Sequence, residues 1–335
     1  MSGLQVVVTG ATGFVGRHIV ERLLEHGHAA TLAVRDQAAC PAEWQSDGRL
    51  KIVATGGLED APTLEAVLAG HHAVIHAAGL AHVAPRDAAE AETAFMRANA
   101  EATGRLARAA KKAGISRFVH VSSLAAITPN AAEVVVDDAT TGWRPQTAYG
   151  RSKLAAEEAL EAERGEMGAI SLRPPLIVGS DAPGNWRSLQ RLAASGLPLP
   201  FGSVANRRSL IGVDALADRI ATLCSRVWPR ESSGRYCVAE GMPVSLRDMI
   251  TELRGGMDLP PRLFACPTPL MRTVLRATGR QRQAEGLFGD LVVDDGRFRR
   301  TFLSGDAREA EDLRATIRGA GTGYVQRRSF VGDRQ

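Results

Sequence analysis

Two side chains are scarce in this 335-residue chain: there are four cysteines and only three tyrosines. Cys40, Cys224, Cys237 and Cys266 are widely separated, with no Cys-x-x-Cys pair and no histidine at ligand spacing. That excludes a disulfide scaffold, argues against a zinc centre and suits a reducing compartment. No run approaches the roughly 18 apolar residues of a membrane span, so no membrane insertion is expected. The opening Met-Ser-Gly leads straight into an apolar strand, without the basic segment and apolar stretch of a secretory signal. A cytoplasmic location is expected. Hydrophobic residues at 44% and charged residues at 23% exclude a disordered or collagen-like chain.

The formal charge of +4 is unevenly spread. Residues 254–335 hold 15 Lys/Arg against 10 Asp/Glu, whereas residues 1–253 hold 26 against 27. A basic C-terminal segment suits an anionic partner, be it nucleic acid, a membrane surface or a phosphorylated substrate. It lacks interleaved aromatics and a nucleic-acid motif, so a nucleic-acid partner is not expected. A positive field over a nucleotide diphosphate accounts for the surplus.

The first half alternates short β-branched runs with helical patterns. Leu4–Thr9 is apolar nearly throughout, as a strand covered on both faces of a parallel sheet must be. Phe14–His26 carries apolar residues at helical spacing, with Gly27 as its stop. Ala30–Val34, Leu50–Ala54, Ala73–His76, Phe118–Ser122, Ala169–Leu172 and Tyr236–Ala239 read as further strands, and an Ala-rich run from Ala88 to Ala113 as a long helix. This rhythm predicts an α/β fold, a doubly wound Rossmann-type parallel sheet with a smaller, mostly helical C-terminal substrate lobe. Residues 1–178 are assigned to the dinucleotide domain, with 203–240 returning to it. Residues 179–202 and 241–325 are assigned to the substrate lobe, with a short helix at Asn185–Ala194, and 326–335 to a flexible Arg/Gly tail.

Three motifs carry chemistry. In Thr9-Gly10-Ala11-Thr12-Gly13-Phe14-Val15-Gly16, glycines follow a strand and open a helix. They permit a tight turn, close backbone approach to a pyrophosphate and close helix–strand packing. At the end of the second strand, Arg35 precedes Asp36. An arginine there accommodates a 2′-phosphate, which favours NADP(H), with NAD(H) as the alternative. Tyr149 and Lys153 are four residues apart in a helical sequence and share a face. An ammonium beside the phenol favours the phenolate and equips the tyrosine for proton transfer to a carbonyl or hydroxyl oxygen. Ser122 and Ser123, at the end of a predicted strand, lie where ligands bind in open α/β sheets.

With GATGFVG (10–16), HAAG (76–79), Asn99, VSS (121–123), YGRSK (149–153) and LRPP (172–175), the chain resembles the extended short-chain dehydrogenase/reductases over essentially its whole length. Pro183-Gly184-Asn185, GLPLPFG (196–202), Asn206–Leu210 and Leu291–Asp294 are similar to the nucleotide-sugar epimerases and 4-ketoreductases of that family. The nearest likeness is to bacterial reductases of UDP-4-keto-6-deoxy-N-acetylhexosamines. The resemblance implies Tyr149 as acid/base, Lys153 on the nicotinamide ribose, and Ser123 holding the reacting oxygen, with Ser122 as fallback. It implies a cofactor site of Gly10, Thr12, Gly13, Phe14, Val15, Gly16, Arg35, Leu58, Ala77, Ala78, Gly79, Asn99, Ser122 and Pro174, besides Tyr149 and Lys153. His82, Asn185, Pro200, Phe201 and Arg208 would join Ser123 at the sugar nucleotide.

Departures from the family pattern sharpen the expectation. Gly57 replaces an aspartate that often contacts adenine, and Val178 replaces a tyrosine, leaving more room beside the nicotinamide. Leu124-Ala125 stands where the 4,6-dehydratases carry Asp-Glu, which disfavours dehydration. The expected activity is NADPH-dependent reduction of the 4-keto group of a UDP-linked 6-deoxy sugar, for surface polysaccharide synthesis, by a homodimer. A UDP-sugar 4-epimerase is the alternative, and a non-catalytic NADP-binding sensor the second.

Overall fold

The computed structural model describes residues 4–81, 88–129, 131–132, 135–140, 145–229, 231–303 and 312–332. Its strands are β1 (Gln5–Thr9), β2 (Ala29–Val34), β3 (Leu50–Ala54), β4 (Ala73–His76), β5 (Arg117–Val121), β6 (Gly168–Arg173), β7 (Leu176–Val178), β8 (Arg208–Gly212), β9 (Gly234–Cys237) and β10 (Glu240–Val244). Seven of them form one parallel sheet in the order β3-β2-β1-β4-β5-β6-β9. The central strands are buried along nearly their whole length because helices cover both faces, which is why they read as continuous apolar runs. Strand order reverses between β1 and β4, so the crevice beyond their carboxyl ends is the expected ligand position.

One face packs against the helices Phe14–Glu25 and Val213–Ser225, with Tyr236, Phe298 and Phe302 closing the end of that core. The other face is covered by Ala61–Leu68, Ala102–Lys112 and Ala148–Glu163 around Phe118, Leu106 and Leu160. The run from Ala88 to Lys112 is a single helical path interrupted by a π-turn at Met96–Glu101.

A second core gathers Val178, Trp186, Leu189, Leu210, Val244, Ile250, Leu253, Phe288 and Ile317. Three strands contribute to it: β8 lies between an antiparallel β10 and a parallel β7. These strands are too short and too interrupted by Gly and Pro to show a period in the sequence. Val178 is fully buried in this core.

The tail assigned from residue 326 is also corrected. A single helix runs from Leu313 to Gly332. Glycines in mid-helix cost about 1 kcal/mol each relative to alanine, so the Gly-rich sequence reads as a helix breaker. Here they permit close packing: a Cβ on Gly321 would lie 2.4 Å from the Leu253 carbonyl oxygen, and one on Gly256 only 1.9 Å from that of Arg318. No helix among the described residues is long and apolar enough to cross a membrane.

Charges tie the two cores together. His18 Nδ1 lies 2.8 Å from Asp214 and its Nε2 3.8 Å from Asp181, which also faces Arg17 and Arg327. Burial alone would lower the imidazole pKa, but hydrogen bonds and charge from both aspartates outweigh it and raise it from 6.5 to about 9. A group raised on folding stabilises most when it is protonated in both states. The His18 contribution is therefore complete below 6.5, while the aspartates stay ionised, and fades as pH rises through about 9. Melting curves of wild type and His18→Gln are expected to differ most in the lower range and to converge above about 9. A gap in melting temperature that is constant across that range would contradict this.

Candidate active site

The loop after β1 is shaped by contacts that exclude a side chain. Gly10 has φ +76°, and a Cβ there would meet the Ala78 nitrogen at 2.4 Å. A Cβ on Gly16 would lie 2.0 Å from the Gly10 carbonyl oxygen. Gly13 caps the helix Phe14–Glu25 with no side-chain hydrogen bond, and no acidic residue occupies its first turn. The first N–H groups and the positive end of the helix are thereby kept for an anionic ligand. Thr12 and Val15 are half-buried beside this turn. The ring of Phe14 packs on the second core near Gly179, so Phe14 offers the loop its backbone. Arg35 is exposed just past β2, whereas Asp36 turns its carboxylate onto the Ala38 N–H at 2.9 Å. Leu58 is held through its carbonyl, which accepts from Arg105 Nε at 3.0 Å. Ala77 and Ala78 are half-buried at the end of β4. These features, a glycine cradle and an uncapped helix start at the switch point, fit a dinucleotide.

The helix Ala148–Glu163 begins at Thr147, whose hydroxyl accepts from the Gly150 N–H at 3.0 Å. Tyr149, Lys153 and Glu157 are spaced four residues apart and share one face. Lys153 and Glu157 on that face are buried near the ends of β5 and β6, and Tyr149 is half-buried. Lys153 Nζ donates to the Val121 carbonyl at 2.8 Å and lies beside Gly79, where a Cβ would meet it at 3.2 Å. Asn99, in the π-turn, accepts from the Leu80 N–H at 2.7 Å and donates to the Leu80 carbonyl at 3.0 Å and to Ser152 Oγ at 2.8 Å. Its amide thus ties the backbone after HAAG to the tyrosine-bearing helix. Pro174, buried past β6, accepts from the Leu124 N–H at 2.9 Å.

The two serines separate clearly. Ser122 Oγ donates to Glu157 at 2.6 Å, and the same carboxylate takes two hydrogen bonds from Arg173 at 2.9 and 2.6 Å. The Ser122 hydroxyl is consequently part of a buried ion-pair network, which leaves its backbone as the part that could face a cofactor. Ser123 caps a short turn by accepting from the Ala125 N–H at 3.2 Å, and its hydroxyl lies toward the Tyr149 phenol, where it favours the phenolate. Glu157 and Arg173 escape a reading of the sequence, because the first sits in an acidic helical stretch indistinguishable from a solvated face.

Electrostatics alter one expectation. Burial raises the Tyr149 phenol above its ordinary 10.0, with the Ser123 hydrogen bond opposing. Burial also lowers Lys153 from 10.5 to about 8, opposed by the charge of Glu157. Within the protein alone the Lys153 ammonium turns to the Val121 carbonyl, and the phenol is not depressed as the Tyr/Lys spacing predicts.

On the second lobe, Asn185 is exposed in the first turn of the helix Gly184–Ala194. Pro200 and Phe201 are half-buried, with the Phe201 ring 6.4 Å from Phe288. Arg208 Nη1 donates to the Gly289 carbonyl at 3.0 Å, and its burial, opposed by Asp290, lowers the guanidinium pKa. His82 lies outside the described residues.

Residues 6–238 match the model of the NAD dependent epimerase/dehydratase family. The chain is 31% identical over 293 residues to a UDP-glucose 4-epimerase of Vibrio cholerae, covering 86% of this chain and 87% of that one. It is 34% identical over 221 residues to a ceramide reductase of Caulobacter vibrioides, covering 65% and 60%. Among solved structures, MoeE5 in complex with UDP-glucuronic acid and NAD superposes with a TM-score of 0.71 at 26% identity, covering 97% of this chain and 99% of that one.

Two substitutions check the division of labour. Glu157→Gln leaves Arg173 buried against a neutral partner and should cost about 3–5 kcal/mol of stability. Ser122→Ala should cost about 1–3 kcal/mol and leave turnover near wild type, whereas Ser123→Ala should lower kcat by about 10²–10³ and cost only about 1 kcal/mol, for the lost cap. Chemical denaturation alongside steady-state kinetics reads both, and a reversed pattern would contradict the assignment.

Proposed function

Since this chain belongs to the NAD-dependent epimerase/dehydratase family and is an NAD(P)-dependent oxidoreductase/epimerase, we propose that it reduces the 4-keto group of a UDP-linked 6-deoxy sugar with NADPH. The observation that carries this reading is the grouping of half-buried Ser123 and Tyr149 with buried Lys153 at the carboxyl end of the sheet. It is joined at the adenosine end by an exposed Arg35 and an Asp36 folded onto its own turn. A guanidinium in that place matches a 2′-phosphate, and net reduction draws on a cofactor kept reduced.

Gly10, Gly13 and the first N–H groups of the helix Phe14–Glu25 would hold the pyrophosphate, Lys153 the nicotinamide ribose, and Gly79 would allow close approach. The bound nicotinamide supplies hydride to the carbonyl carbon. Tyr149 delivers the proton: its phenol O–H breaks as the new alcohol O–H forms. Ser123 donates a hydrogen bond to the same oxygen and stabilises the charge that develops on it. Lys153, once drawn toward a ribose hydroxyl beside the phenol, favours the phenolate left behind. Asn185, Phe201 and Arg208 line the lobe that would take the diphosphate and sugar, a part suited to a guanidinium. The working unit is a homodimer in this reading, serving surface polysaccharide synthesis.

The Vibrio cholerae relative favours a second reading, a UDP-sugar 4-epimerase, in which the same groups first take the proton from a carbinol and then return it. Incubation with NADPH and a UDP-4-keto-6-deoxy sugar separates the two. Loss of one reduced nicotinamide per sugar supports the reductase. Interconversion of 4-epimers without added reductant supports the epimerase, and tight NADP binding without turnover a non-catalytic sensor. Tyr149→Phe should abolish turnover with cofactor affinity retained. Arg35→Ala should raise the KM for NADPH roughly tenfold or more and leave that for NADH unchanged; an equal loss with both cofactors would refute the 2′-phosphate assignment.

A further inference from the structure

The helix Thr268–Ala277 has no buried residue. Met271 and Leu275 turn inward and pack on the second core, while Leu270 and Val274, one turn apart, are 57% and 55% exposed. Beside its start, residues 197–202 run along residues 262–264 through backbone bonds between Leu199 and Arg262, Leu199 and Phe264, and Gly202 and Phe264. This brings Leu197 and Phe264, 63% and 51% exposed, onto the same end of the lobe. These four are among ten large hydrophobic side chains left exposed in the described residues.

The platform is built rigidly. Arg254 is fully buried, and its guanidinium donates to the carbonyls of Ala193 (3.1 Å), Leu197 (2.6 Å) and Pro261. It thereby fixes both segments that carry the exposed Leu197 and Phe264. The charge around the patch is predominantly positive, with Asp258 and Glu285 at the two ends of the segment. From Leu259 to Ala284 the sequence holds five arginines and no aspartate or glutamate, and Arg262, Arg276 and Arg280 are exposed.

We infer that this face, the helix Thr268–Ala277 with the adjoining segments at Leu197 and Phe264, docks the protein on an anionic lipid bilayer. Apolar side chains flanked by arginines are what an interfacial helix needs: the first enter the acyl boundary while the second meet lipid phosphates. A second copy of the chain fits this face poorly, because a two-fold contact would set arginines against arginines. The surface also borders an open cavity lined by Gln146, Gly279, Arg280, Gln281, Gln283 and Glu285. Gln146 stands three residues before Tyr149, so docking would set the tyrosine-bearing helix near the bilayer. The inference rests on the surface alone and is independent of which carbonyl is reduced.

The test uses the full chain with vesicles of phosphatidylcholine, with and without phosphatidylglycerol, and needs no substrate. Co-sedimentation is expected only with phosphatidylglycerol present, and it should weaken steeply as salt is raised. Arg262→Glu with Arg276→Glu should lower partitioning by about 25-fold or more, at about fivefold per basic residue. Leu270→Ser with Val274→Ser should release the protein from vesicles with its melting temperature unchanged. Absence of binding to phosphatidylglycerol vesicles at low salt, equal binding to neutral vesicles, or variants that bind like wild type would each overturn the inference. Self-association that L270S/V274S breaks, without vesicle binding, would reassign the face to a contact between copies.

Discussion

The arrangement of the candidate site depends on one polar helix face whose Lys153 and Glu157 are buried and whose Tyr149 is half-buried. Tyr149, Lys153 and Glu157 project from Ala148–Glu163 toward the ends of the central strands, where an unsatisfied charge would cost several kcal/mol. Each polar group therefore has a fixed partner: Val121 for Lys153, Arg173 and Ser122 for Glu157, Ser123 for Tyr149. Asn99 closes the set by joining Leu80 to Ser152, whose hydroxyl donates in turn to the Tyr149 carbonyl at 2.8 Å. The helix cannot slide or rotate without exposing or stranding one of these groups. The position of a single phenol oxygen thus follows from a whole network of buried hydrogen bonds.

The same economy of contacts governs how the two cores meet. Phe14 leaves the loop between β1 and its helix to pack on the second core, and His18, one turn later, reaches Asp181 and Asp214. The helix that opens the dinucleotide loop is also the one that holds the second lobe.

Much of this was legible in the sequence where a residue type has one physical reason to be where it is. Six of the seven strands of the parallel sheet show as apolar runs between helical patterns, and Tyr236 marks the seventh. Gly10 and Gly16 are legible because only glycine tolerates the close approaches found there. The scarcity of tyrosine made the Tyr149/Lys153 pair stand out. Elsewhere the meaning of a residue is set by tertiary contact. Ser122 and Ser123 are chemically identical neighbours, and only the burial of Glu157 tells them apart. Gly321 reads as a breaker until the helix that carries Leu253 is seen packed against it, and β7, β8 and β10 are too short to carry a period. Lys153 lies four residues from Tyr149 as spacing demands, yet its ammonium is held by Val121, a partner that spacing does not reveal.

The central claim is that Tyr149 moves the proton and that Lys153 tunes it when a dinucleotide is bound. With only three tyrosines in the chain, the phenol can be followed by ultraviolet difference titration. Burial raises both Tyr149 and Tyr236 above 10.0 in the protein alone; the account predicts that the component missing from Tyr149→Phe shifts downward when NADP is added and fails to shift in Lys153→Met. A Tyr149 titration that stays the same with and without NADP, or that shifts equally in Lys153→Met, would contradict it.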